Sequence, residues 1–399
     1  MAFDFISAAL TARKQDNLWR SRHIIESAVD TMIQVDGRYY LNFSSNDYLG
    51  LRRSSVVAQA WVDGIAEYTA GSGASPLVTG YTRAHHELEV YLAKVLQRDK
   101  VLLFNSGFAA NQAICQALFA SGARQSNALI VADKLIHASF VDGAQACDAV
   151  FKRFRHNDCE HLNSILSNQS SRYNNTLIAT EGVFSMDGDQ APIKELVNIS
   201  QQQDTWLMLD DAHGFGVLGD TGLGITELHN LSQQQLPVLM ATFGKAIGTA
   251  GAFIAGSEQL IDYLVNFARH YIYSTSMPAA QAHATLESLK ANVEPSRRQG
   301  LQSRIQQFKD LALAANIPLL PSDTAIQPVF IGNTEQTLVV SEKLKHLGIW
   351  VSAMRYPTVP KGTDRLRITL SAIHQEQDIV ALVDALSLAM PSPTANRTK

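Results

Sequence analysis

The chain has 399 residues, 46% of them hydrophobic and 18% charged, which is too much material for most single cores, so two structural units are expected. A formal net charge of −4 gives no global basic field and argues against a nucleic-acid or membrane-surface role. Cys115, Cys147 and Cys159 are odd in number and lack metal-ligand spacing, so they read as reduced thiols and no metal site is expected.

The opening stretch MAFDFISAALTARKQDNLWR carries Asp4 early and has no apolar run ahead of a cleavage site. It reads as an amphipathic helix and not as a signal peptide. No apolar run approaches membrane-spanning length, so a cytoplasmic protein is expected. Residues 1–50 read as this helix followed by a short strand segment. From about residue 100 the strand candidates VLLF (101–104), LIVAD (129–133), TLIATEG (176–182), WLMLDD (206–211), VLMATF (238–243) and GAFIAG (251–256) alternate with helical stretches such as FAANQAICQALFA and KELVNISQQQ. Near-continuous apolar strands separated by helices predict an α/β fold with a mostly parallel sheet covered on both faces. Residues 51–284 are therefore expected to form a large α/β domain. Beyond 285 a polar helical stretch leads to AIQPVFIG, TLVVSEKLKHLG, IWVSAMRY and RLRITLSA, read as a smaller C-terminal α/β domain over 285–390. The tail 391–399 (PSPTANRTK) is expected to be disordered.

Ligands of open α/β sheets bind at the carboxyl ends of the strands, so the residues just past those ends are the candidates. VLLF runs into NSGFAANQ, where Gly107 and Phe108 would open a helix; that is either a plain capped turn or an anion-binding helix N-terminus. LIVAD is followed by His137, a structural histidine or a flat ring able to stack on a flat cofactor. TLIATEG leads to Ser185 and the turn Met186-Asp187-Gly188-Asp189. Asp210 ends an apolar strand where an unpartnered carboxylate is expensive, so it needs a cationic or N–H partner, and a protonated ring nitrogen is one such partner. Asp211 suits a capping role better, and His213 follows on the same turn. VLMATF is followed by Lys245 in the apolar window ATFGKAIGTAGA. Either the stem of Lys245 packs while its head reaches water, or its amine is kept partly neutral to attack a carbonyl. A phosphate-suited turn, a stackable imidazole, an acid for a ring nitrogen and such an amine are the parts that pyridoxal phosphate requires.

With those segments in hand, the sequence resembles the α-oxoamine synthases, a family of fold-type I pyridoxal-phosphate enzymes. The resemblance runs through NFSSNDYLGL (42–51), GSGASPLVTGYTRAHHELE (71–89), FNSGFAANQ (104–112), TEGVFSMDGD (180–189), DDAHGFGVLG (210–219), TFGKA (242–246), YIYSTSMP (271–278) and RYPTVPKGTDRLRITL (355–370). It implies pyridoxal 5′-phosphate held as an internal aldimine on Lys245, with Asp210 on the pyridinium nitrogen. By the same likeness His137 stacks on the ring, His213 lies near its phenolic oxygen, and Gly107, Phe108, Ser185 and Thr242 make further cofactor contacts. Lys245, His137 and Asp210 are the catalytic set. A homodimer with active sites at its interface is implied, with Ser274 and Thr275 reaching the neighbour's phosphate. Arg355 resembles the arginine that grips the amino-acid carboxylate, and Arg20, Asn46, His137 and Thr358 resemble residues around the amino acid and acyl thioester. The implied reaction is a decarboxylative condensation of L-alanine with a pimeloyl thioester of coenzyme A or of acyl-carrier protein, in biotin biosynthesis. Glycine with acetyl-coenzyme A, or a fatty acyl thioester, is the alternative within the family. A silent pyridoxal-fold subunit is disfavoured by the presence of both Lys245 and Asp210. Departures from the family pattern are small: Phe215 follows DDAHG, and Ala246-Ile247 follow Lys245. Neither departure touches a catalytic role, and the sequence leaves open whether Phe215 shapes a pocket wall.

Overall fold

In the computed structural model, residues 2–119, 127–168 and 172–391 are described. The tail expected to be disordered therefore lies, from 392 onward, outside the described residues. The chain divides into two units, residues 46–185 with 189–299, and residues 1–45 with 186–188 and 300–399.

The larger unit is organised by a seven-stranded sheet. Its strands are β1 (Lys100–Phe104), β2 (Ala128–Asp133), β3 (Val150–Phe154), β4 (Asn175–Glu181), β5 (Trp206–Asp210), β6 (Val238–Thr242) and β7 (Ala252–Gly256). They lie in the order β1-β7-β6-β5-β4-β2-β3. The run from β3 to β6 is parallel, while β7 pairs antiparallel with both β6 and β1. Burial on both faces explains why the apolar runs read as strands without polar alternation. Within β2, Leu129 and Val131 pack on one face with Leu207, Leu209 and Leu239, while Ile130 and Ala132 pack on the other with Met208, Met240 and Ile254. The strand β3 was not among the expected ones. It is an edge strand whose exposed and half-buried residues include Lys152 and Arg153, which is how an edge resists further pairing but also what hides it in sequence.

Helix Gly107–Leu118 begins directly after β1, with the Ser106 hydroxyl accepting from Ala109 N–H at 3.1 Å. Its Ala110, Ala113, Ile114 and Ala117 are buried in the lower apolar layer of the sheet. Small residues let the helix lie close, which brings its first turn to the sheet's carboxyl edge.

In the smaller unit, strands Ser27–Val29, Met32–Val35 and Arg38–Asn42 form an antiparallel meander, and Ile349–Trp350 adds parallel to Arg38–Asn42. A second, antiparallel sheet runs Ile326–Phe330, Arg365–Thr369, Ser352–Met354. Helices Thr334–His346 and Glu376–Ala389 and most of Ser296–Ala314 also belong to it. The expected N-terminal helix is present over Phe5–Gln15, and it buries none of its residues. Residues 285–291, read in sequence as opening the C-terminal domain, continue the helix Ala279–Ala291 of the larger unit.

Candidate active site

Four strand ends of the larger sheet bring the expected side chains together. Asp210 closes β5 at 4% exposure, opposite Glu181 of β4 and Met240 of β6 in register. Its Oδ1 accepts from the Ala212 N–H at 3.1 Å and its Oδ2 from the Asn111 side-chain amide at 2.8 Å. The sequence demanded an N–H or cationic partner for this acid, and the structure supplies two neutral donors. Asp211 caps as expected: its Oδ2 accepts from the Ile225 N–H at 2.8 Å, at the start of the short helix Ile225–Leu228.

Asn111 was missed in sequence, and it organises the site. Buried to 1% exposure, it gives one amide hydrogen to Asp210 and the other to the Ser139 hydroxyl at 2.9 Å. Ser139 in turn lies 2.7 Å from His137 Nδ1, and its own N–H points at the same nitrogen at 3.3 Å. Two donors aimed at Nδ1 make it the acceptor, so neutral His137 carries its hydrogen on Nε2. Burial lowers the His137 pKa and Lys245 lowers it further, against the opposing pull of Asp210. Asp210, Asn111, Ser139 and His137 thus form one hydrogen-bonded chain. The available sequence signal was a lone polar side chain among Ala110, Ala113 and Ile114 on a buried helix face.

Lys245 lies two residues beyond Phe243, in a turn closed by Gly248 N–H to the Lys245 carbonyl at 3.0 Å. Phe243, Ala246 and Ile247 are buried while Lys245 is half-buried. Gly248 has φ +73°, and a Cβ there would come within 2.3 Å of the Arg52 backbone nitrogen, so glycine is required for the turn to close. The ammonium acts electrostatically on Glu181, Asp211 and His137. Glu181 is held well above the ordinary carboxylate range by burial and by the neighbouring Asp210, while its Oε2 accepts from the Ser185 N–H at 3.2 Å. Thr242 donates its hydroxyl to the Gly251 carbonyl at 2.8 Å and accepts from Gly244 N–H, which ties β6 to β7 at the edge of the site.

His213, on the turn after β5, is buried, with Nδ1 2.7 Å from the Tyr48 hydroxyl. The same hydroxyl lies 3.3 Å from Asn46 Oδ1, so Tyr48 links His213 to Asn46. Tyr48 was also missed in sequence. Gly107 and the 44%-exposed Phe108 stand at the N-terminus of the helix after β1. Asn105, just before it, donates to the Thr275 carbonyl at 2.7 Å, and with Ser274 and Thr275 it lines a cavity of about 30 Å³. Phe215 is 1% exposed and packs edge-on against Phe253 at 5.1 Å, so it is a core residue and not a pocket wall.

The remaining expected residues belong to the smaller unit. Arg20, Arg355 and Thr358 share a cleft of about 630 Å³ with Trp19 and Trp350. The Arg355 guanidinium donates to the carbonyls of Asn17 and Trp19, both at 2.9 Å. Among the described residues no group of three or more histidine, cysteine or acidic side chains is placed to hold a metal, and no helix is long and apolar enough to cross a membrane.

Fold and site define a transferase of the fold-type I, pyridoxal-phosphate class. The chain belongs to the aminotransferase class I and II family, which it matches over residues 38–386. It is 47% identical to the 8-amino-7-oxononanoate synthase of Aeromonas hydrophila subsp. hydrophila over 392 residues, 98% of this chain and 95% of that protein. Among solved structures, the 8-amino-7-oxononanoate synthase from Francisella tularensis superposes with TM-score 0.74 at 31% identity, covering 88% of this chain and 97% of the other. SPT with a PLP internal aldimine superposes with TM-score 0.89 at 26% identity, covering 97% of each chain.

Proposed function

We propose that this chain is an 8-amino-7-oxononanoate synthase. It joins L-alanine to a pimeloyl thioester, giving 8-amino-7-oxononanoate, carbon dioxide and free coenzyme A or acyl-carrier protein. The observation that carries the substrate reading is the 47% identity spread over 98% of the chain, because the fold alone is shared as closely with SPT, at TM-score 0.89.

The donor set fits the cofactor. A buried carboxylate held only in part by neutral donors suits a protonated ring nitrogen, and a half-buried lysine stands at the neighbouring strand end. Pyridoxal 5′-phosphate, when bound, supplies an electron sink for negative charge on the amino-acid α-carbon. We assign Lys245 Nζ to its covalent attachment and Asp210 to its ring nitrogen. His137 is assigned to the ring face, and His213 and Ser185 to the polar edge of the ring. Gly107, Phe108 and Thr242 are assigned to the phosphate side, where the helix N-terminus favours an anion.

The other steps belong to the chain's own groups. Asn111 keeps Asp210 in place and the Nε2–H tautomer of His137 in force. With the cofactor held there, Lys245 Nζ would be the group placed to take the α-proton of the amino acid and to return one. Arg355 is assigned to the amino-acid carboxylate through the guanidinium N–H groups not given to Asn17 and Trp19, with Arg20, Asn46 and Thr358 assigned to the substrates. The reading includes a homodimer in which Ser274 and Thr275 serve the partner's phosphate site, and a cytoplasmic location.

Borohydride reduction of the holoprotein followed by peptide mass mapping tests the assignment. The account expects the reduced adduct on Lys245, and neither adduct nor turnover in Lys245→Ala. An adduct on another lysine, or an active alanine variant, overturns it.

A further inference from the structure

Beyond the residues assigned above lies an ionic cluster on the turn after β3. His156 stands between two aspartates, with Nδ1 3.0 Å from Asp133 Oδ1 and Nε2 2.8 Å from Asp189 Oδ2. Asn157 doubles both links: its N–H donates to Asp133 Oδ2 at 2.8 Å, and its side-chain amide donates to Asp189 Oδ2 at 2.9 Å and to the Gln190 carbonyl at 3.2 Å. The imidazole also meets buried Phe184 edge-on, with ring centroids 4.4 Å apart.

Each aspartate controls a segment that carries a site residue. Asp133 ends β2 at 0% exposure; its Oδ1 accepts from Leu135 N–H at 2.8 Å and its carbonyl from Ile136 N–H at 3.2 Å, which shapes the turn that delivers His137. The Asp189 carbonyl accepts from Phe184 N–H at 2.9 Å, beside Ser185. One ring therefore spans the ends of two turns that enter the site from neighbouring strands.

We propose that His156 is a positioning residue, an ionic brace that fixes the His137 turn against the Ser185 turn and so sets the width of the cofactor slot. Both ring nitrogens face carboxylate oxygens, so both donate only if the ring is cationic, and a neutral ring would leave one nitrogen lone pair against an oxygen. Burial works against that charge, but the bonds to Asp133 and Asp189 outweigh it and push the His156 pKa up to about 10. A purely structural histidine needs only one such partner. The second carboxylate makes the brace two-sided, and a two-sided ionic link resists both opening and sliding of the turns.

This inference rests on the assignment of His137 and Ser185 to the cofactor, and the test separates the two. Cofactor-free protein is titrated with pyridoxal 5′-phosphate, following the visible absorption and circular-dichroism bands, for wild type, His156→Gln and His156→Arg. Glutamine removes the charge, whereas arginine retains two-sided donation. The brace predicts that His156→Gln raises the cofactor Kd at least about tenfold and weakens the induced circular dichroism, and that arginine recovers most of both. Wild-type Kd and dichroism in the glutamine variant, whatever its melting temperature, would overturn the brace. Failure of the wild-type protein to bind would instead overturn the cofactor reading itself. If the glutamine variant does not fold, Asp189→Asn asks the same question by neutralising one side of the ring, with the same two outcomes.

Discussion

Replacing Asn111 by alanine removes both arms of the Asp210–Ser139 link without adding bulk. The structure sets the magnitude: a 2.8 Å bond to a buried carboxylate and a 2.9 Å bond to a hydroxyl, at a position only 1% exposed. A hydrogen bond to a charged group contributes about 1.5–3 kcal/mol and a neutral one about 0.5–1.5, so the joint loss is roughly 3 kcal/mol, since coupled bonds do not add fully. Urea unfolding of the cofactor-free protein should register that loss. The catalytic effect follows from Asp210, whose carboxylate loses one of its two anchors. A loss of about 1.5–3 kcal/mol in its placement corresponds to roughly a 10- to 150-fold fall in kcat/KM. Asn111→Asp should do more damage, because it sets a second buried carboxylate beside the first. An alanine variant within twofold of wild type in activity and within about 0.5 kcal/mol in stability would refute the claim that Asn111 holds Asp210.

Two further substitutions probe the two units, one in each. His374, 4% exposed and stacked on Phe43 at 4.3 Å, accepts from Ser371 N–H, donates to the Asn42 carbonyl, and has its pKa lowered by burial to about 4. Its folded form is neutral while the unfolded chain takes up a proton below about pH 6.5, so its contribution to stability is whole above that pH and is lost as pH falls toward 4, to an upper limit of roughly 3 kcal/mol. The difference in stability between wild type and His374→Gln should shrink over that range, and a constant difference would contradict the account. Gly224 has φ +81°, and a Cβ there would fall 1.9 Å from Asp211 Oδ2. Gly224→Ala should therefore destabilise by at least about 3 kcal/mol in urea, from backbone strain plus loss of the Asp211 cap, and a loss under about 1 kcal/mol would count against it.

What the sequence disclosed follows from what pattern can encode. The strands β1, β2 and β4 to β7 were legible because burial on both faces leaves unbroken apolar runs, and their ends exposed Asp210, His137 and Lys245 as isolated polar residues after such runs. The edge strand β3 was not legible, because half-buried Lys152 and exposed Arg153 interrupt its apolar run. Asn111 and Tyr48 escaped for a different reason: each acts through a partner distant in sequence, Asp210 and His213, and local spacing does not report such pairs. His156 escaped likewise, since its two aspartates lie 23 and 33 residues away. The grouping of residues 1–45 with 300–399 depends on Ile349–Trp350 pairing with Leu41–Asn42, a contact across some three hundred positions that no local pattern announces.

The central claim is the choice of substrates, and release of free thiol by the purified holoprotein tests it most directly. L-alanine with pimeloyl-coenzyme A is run beside glycine with acetyl-coenzyme A and L-serine with palmitoyl-coenzyme A. The account predicts thiol release, with one carbon dioxide per thiol, in the first mixture and none above background in the others. Release confined to either of the other mixtures would contradict the substrate assignment while leaving Lys245 and Asp210 in their roles.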